Sequence, residues 1–331
     1  MIMHPAVIAN IIAALTVSLM VVYSAYYGLQ IYRHWNIESG SELQLTLERR
    51  TYLVSTLLSY TFGLQLISLF LYVFTADTLY PLFVGAMCAA GALSVNAFGY
   101  PTLILKVGNF LLAGLWLVLN HADNQAYDYP LIRKKYLLLA VIAPFIVAET
   151  IVELAYFLKL DANVITSCCG ALFSSERVEG LGSEIAALPA LPTLWAFYIS
   201  IAAALLSGIY FYLRGKGGYV YSALAVVAFF VSIVAIISCI SLYIYELPTH
   251  HCPFCIIMEE YNYIGYLLYI LLFSAVVAGA GIAVLIPFRG IASLSSAIPS
   301  LLRRLALTSI VSYTAFASIV TYRIAISNLI L

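Results

Sequence analysis

His250, His251, Cys252, Cys255, Glu259 and Glu260 fall within one short stretch, residues 250–260, reading HHCPFCIIMEE. Two thiols separated by two residues are close enough to bond to each other or to share a metal ion, and neighbouring imidazoles can hold the protons that thiol chemistry moves. At the first turn of a helix such a pair is activated further, because unpaired N–H groups and a partial positive charge stabilise a thiolate. The apolar run after Cys255 predicts a helix there, and Pro253 suits an early helical position where its missing N–H costs nothing.

Cys168 and Cys169 form a second thiol pair, followed by Gly170. Adjacent residues have Cα atoms about 3.8 Å apart across a trans peptide. A disulfide prefers roughly 4.4–6.8 Å, so a bond between these two is strained and easily reduced. Each is also placed to bond to Cys252 or Cys255. Three chemistries are open to the four thiols: dithiol–disulfide exchange, a structural staple between two loops, and a metal or cluster site completed by His250 and His251. Cys88 and Cys239 lie in apolar surroundings and read as inert core residues.

Glu149 and Glu153 sit four residues apart in an otherwise apolar run, so they share a helix face. Carboxylates at bilayer depth are costly and line polar cavities or proton paths. With Glu259 and Glu260 they are candidates for handling protons or a quinone headgroup; the alternative is a hydrogen-bonded structural pair. His4, His34 and His121 sit near helix ends, so no histidine pair within helices offers axial ligands for a transmembrane haem.

The elements that must carry these residues are membrane spans. The chain of 331 residues is 64% hydrophobic and 9% charged, with mean hydropathy +1.02. Apolar runs occupy about 5–32, 51–76, 81–99, 101–120, 136–160, 193–213, 218–246, 256–287 and 305–327. Most approach the roughly 20 residues needed to cross about 30 Å of hydrocarbon. The expected fold is all-α: a polytopic transmembrane bundle forming one integral membrane domain over residues 1–331. The first run has no basic residue ahead of it and is long enough to span, so it is expected to remain as a membrane helix. Balanced charge, with 15 basic and 15 acidic residues, gives no hint of nucleic-acid binding.

Arg33, Arg49, Arg50, Arg133, Lys134, Lys135, Arg214, Lys216, Arg289, Arg303 and Arg304 cluster in alternate linkers, which the positive-inside rule places in the cytoplasm. If residues 33–50 and 121–135 are both inside, residues 81–120 make one net crossing. The expectation is therefore eight crossings, with 81–99 interrupted or re-entrant around Gly85, Gly91, Asn96, Gly99 and Pro101. Both termini and the loops 161–192 and 247–255, which carry four of the cysteines, then face outward.

The segment Cys252-Pro253-Phe254-Cys255-Ile256-Ile257-Met258-Glu259 resembles the Cys-x-x-Cys segment of the DsbB/BdbC family of membrane thiol:quinone oxidoreductases. The resemblance covers about a dozen residues. That family is a four-helix bundle, and its usual Arg after the motif is replaced here by Glu260. The resemblance implies a thiol oxidoreductase of a prokaryotic cytoplasmic membrane, with Cys252 and Cys255 next to the quinone and an extracytoplasmic thiol or redox protein as partner. On this expectation Cys168 and Cys169 relay electrons to Cys252 and Cys255. The competing expectations are a metal-binding membrane protein and a membrane anchor subunit of a larger redox complex with structural disulfides.

Overall fold

The apolar runs fold as helices, and among the described residues no strand forms. The computed structural model describes residues 1–36, 39, 41–166 and 181–329. Eight long helices follow one another: α1 Pro5–His34, α2 Glu42–Leu79, α3 Gly99–Asp123, α4 Ile132–Leu158, α5 Ala190–Arg214, α6 Gly218–Ala235, α7 Ile264–Leu285 and α8 Ala297–Ile326. A π-helical turn, Ile236–Ile240, extends α6 into a last α-turn, Ser241–Tyr245. Among the described residues, these eight helical segments are long and apolar enough to cross a membrane. Large apolar side chains such as Leu19, Tyr60, Trp195 and Phe230 point outward, as suits a lipid surroundings rather than water.

The chain divides into two compact units. The first contains residues 1–75, 96–161 and 287–301, and so α1, most of α2, α3 and α4. Its centre joins Val17, Val21, Phe62, Trp116, Tyr136 and Ile142, with the Phe62 and Trp116 rings edge to face at 4.9 Å. Several buried polar groups here are paired, which a dry interior favours. Trp116 Nε1 donates to Lys135 O at 3.0 Å, and Lys135 pairs with Asp123 at 2.6 Å with both side chains fully buried. Lys135, one of the basic residues used to assign sidedness, is thus an internal cation that ties the start of α4 to the end of α3.

The second unit contains residues 76–95, 162–286 and 302–331, with α6 packed between α5 and α7. In lipid no hydrophobic drive separates helices from solvent, so small residues set how closely they approach. Gly279 of α7 is such a point: a Cβ there would lie 2.6 Å from that of Ala225 on α6. Ser222 Oγ donates to Gly279 O at 2.8 Å, and Tyr313 of α8 donates to Ala225 O.

Residues 80–98 form no spanning helix, as the charge pattern requires. After α2 a 3₁₀ turn, Tyr80–Leu82, leads to Gly85 at φ +87°, and Cys88 is fully extended. A single buried helical stretch, Ala89–Leu93, follows. Thr166 N donates to Val84 O at 2.9 Å, and a Cβ on Gly85 would meet Thr166 O at 2.5 Å. Only glycine fits there, on both conformation and space. Irregular backbone is tolerated in such a protein where other protein covers it, and residues 88–93 are all buried.

Candidate functional site

In the second unit the interrupted segment brings Cys88 to the loop after α6. Cys88 Sγ lies 3.6 Å from Cys252 Sγ, and the sulfurs of Cys88, Cys252 and Cys255 all lie within 4.8 Å of one another. All three side chains are buried. The Cys88–Cys252 separation is longer than a disulfide bond of about 2.05 Å. It is close to the edge of about 3.8 Å that joins two sulfurs on a tetrahedral ion with metal–sulfur bonds of about 2.3 Å. The reading of Cys88 as an inert core residue is therefore corrected: it is buried, but against two other sulfurs. Cys239 keeps that reading. It is buried in the π turn of α6, with its thiol donating to Ala235 O at 3.3 Å.

The loop is built differently from the helix start that the motif predicts. Cys255–Ile257 and Glu259–Tyr261 form separate 3₁₀ turns, Met258 between them is extended, and α7 begins only at Ile264. Asn262 and Tyr263 both adopt φ +54°, a left-handed conformation that costs a side-chain-bearing residue energy and breaks the helix there. Pro253 is accordingly outside any helix. The cysteines owe their placement to two tyrosines instead of a helix terminus. Tyr245, at the end of the α6 extension, donates to Cys252 O, and Tyr269 of α7 donates to Pro253 O at 2.8 Å.

His250 Nε2 lies 3.2 Å from Cys255 Sγ, and its ring packs edge on against Tyr245 with centroids 4.7 Å apart. Burial lowers the pKa of His250, its neighbour His251 lowers it further, and Cys88 opposes them; the net shift is downward. A neutral imidazole beside a sulfur is the form that binds a metal. His251 has another task. Its Nδ1 stands 3.2 Å from Ile237 O in the π turn, and a carbonyl only accepts, so Nδ1 carries the proton and the ring anchors the loop to α6.

Glu259 and Glu260 are exposed. Glu260 is close enough to act electrostatically on Asp77 and Tyr261; with burial and Cys255 it raises the Tyr261 pKa. Asp77 was absent from the sequence reading. It faces both Cys88 and Glu260 and takes a hydrogen bond from Ala89 N, the first residue of the buried stretch. Its position in an apolar helix end, a few residues before a Gly-rich interruption, is the signal that was available.

The other candidates separate. Glu149 and Glu153 do share a face of α4, but in the first unit, where both bind Lys106 of α3. Cys168 and Cys169 lie outside the described residues. The chain matches no known protein family, no characterised protein and no solved structure.

Proposed function

We propose that this multi-pass membrane protein holds a thiophilic metal ion on Cys88, Cys252 and Cys255, with His250, whose Nε2 lies 3.2 Å from Cys255 Sγ, turning in as the fourth ligand when the ion binds. The observation that carries the reading is the cluster of three buried sulfurs within 4.8 Å of one another. Three thiolates and one imidazole are a recurrent tetrahedral zinc set, and soft sulfur ligands also favour copper(I). Ligands from positions 88 and 252 clamp the interrupted segment to the loop, so metal binding and folding of this region are one process. Binding requires deprotonated thiols and releases their protons, for which the exposed Glu259 and Glu260 lie close in sequence. The site belongs to the outer face of a cytoplasmic membrane on this reading, since the basic linkers occupy the alternate side.

The spacing of Cys252 and Cys255, with Cys88 against Cys252, supports a second reading, thiol–disulfide exchange. Oxidation of two of the thiols would release two electrons and two protons to a quinone, giving quinol and a disulfide that a partner dithiol then reduces. Elemental analysis and differential alkylation of the detergent-purified full chain, without reductant, separate the two. The metal reading predicts about one zinc or copper per chain and three protected thiolates that react only after chelation. A metal-free chain with a Cys252–Cys255 disulfide that shifts on adding quinone would replace it with the exchange reading.

A further inference from the structure

The first unit carries a buried charge cluster whose ordinary ionisation does not balance. Lys106 Nζ lies 2.9 Å from Glu149 Oε1 and 2.9 Å from Glu153 Oε2, with side-chain exposures of 1%, 3% and 0% for the three residues. One ammonium against two carboxylates leaves a surplus negative charge away from water, which a protein interior does not tolerate uncompensated. A second buried ion pair of this unit, Lys135 with Asp123, shows the contrast: one cation, one anion, no surplus.

The two carboxylates are treated unequally. Glu149 is built as an anion. Its Oε2 accepts from Gln65 Nε2 at 2.7 Å and from Asn109 Nδ2 at 2.6 Å, and its Oε1 accepts from Lys106. Glu153 is fully buried, and its Oε1 accepts no hydrogen bond from any described residue. Among the described residues, no charge other than Lys106 and Glu149 is found to act on Glu153. The Tyr72 ring of α2 is nearby, 5.4 Å from Lys106 Nζ. The neutral groups of the cluster go elsewhere, Gln65 and Asn109 to Glu149 and Ser68 to Lys106. Helix α1, which packs along α4, has no ionisable acid or base other than tyrosine between His4 and Arg33.

We infer that the Lys106–Glu149–Glu153 cluster is a binding site for one exchangeable proton, carried by Glu153. With the proton on, the cluster is neutral; with it off, Lys106 alone stands against two anions. Lys106 already occupies the position a metal cation would take, so the ligand is a proton and not an alkali ion. An acid of this kind within a membrane-spanning bundle is suited to passing protons or coupling their movement to another event.

The test is pH-difference infrared spectroscopy of the full chain in detergent, in light and heavy water. The wild type is expected to show a protonated-carboxyl band that shifts on deuteration and disappears reversibly as pH rises. Glu153→Gln removes that band, Glu153→Asp moves its frequency, and Lys106→Gln enlarges it because a second proton is then needed. No exchangeable carboxyl band in the wild type would overturn the inference without any variant. So would a band that persists unshifted in E153Q or, should that variant not fold, in E153D. If sodium instead of pH titrates the band, the site is a cation site and the proton assignment falls.

Discussion

At the scale of single residues, the cysteine site rests on sulfur atoms contributed from 164 positions apart. Replacing Cys88 by Ser should therefore cut bound metal at least as severely as Cys252→Ser, about tenfold or more, whereas Cys239→Ser leaves it unchanged; metal-to-protein ratios of the purified variants check this. Retention of metal in C88S would detach Cys88 from the site. His250 gives a pH expectation for the metal-free chain. Its folded pKa lies below the ordinary 6.5, so the unfolded chain binds this proton more readily. Stability is then full above 6.5 and declines as pH falls below it. Unfolding midpoints in chelator across that window should drop on acidification, and His250→Gln should flatten the slope. Of this site the motif around Cys252 was legible from spacing alone. Cys88 was not, because a lone cysteine among Met, Ala and Gly has the same local sequence whether it packs on leucines or on sulfurs.

At the scale of elements, the interrupted segment and the loop 246–263 do the positioning. Gly85→Ala places a Cβ at φ +87° and 2.5 Å from Thr166 O. It should destabilise the chain by about 1–3 kcal/mol and weaken metal retention, measured by thermal unfolding and metal content in detergent. Gly290→Ala, where a Cβ meets nothing within 4 Å, is the control. Equal midpoints for the two variants would contradict the account. Tyr269→Phe removes the phenol that fixes Pro253 and should cost about 1 kcal/mol with the loop less protected from thiol reagents. The long helices were legible because hydropathy reports burial in lipid directly. Their ends were less so: the apolar run from 256 reads as helix, yet α7 starts at Ile264. Hydropathy does not register two successive left-handed residues, and Asn262 and Tyr263 set that boundary. Lys106 is the reverse case. A lone cation in an apolar run has no local explanation in the sequence, and α4 supplies its two carboxylate partners.

At the scale of the whole molecule, the described residues hold eight helices long and apolar enough to cross a membrane, and if all eight cross, both chain ends emerge on one side. Reporter fusions at either end should give the same sidedness, and a tag beside Arg133 the opposite one. Opposite answers at the two ends would mean that one apolar helix does not cross. The two compact units hold different chemistry, a sulfur cluster in one and an unbalanced acid–base cluster in the other, so their variants should report independently. The account depends most on the sulfur cluster. X-ray absorption at the edge of the metal that co-purifies with the intact chain tests it most directly. The prediction is a first shell of three sulfurs at about 2.3 Å and one nitrogen at about 2.0–2.1 Å, as for zinc. A metal-free chain, or a metal held only by oxygen and nitrogen, would contradict it.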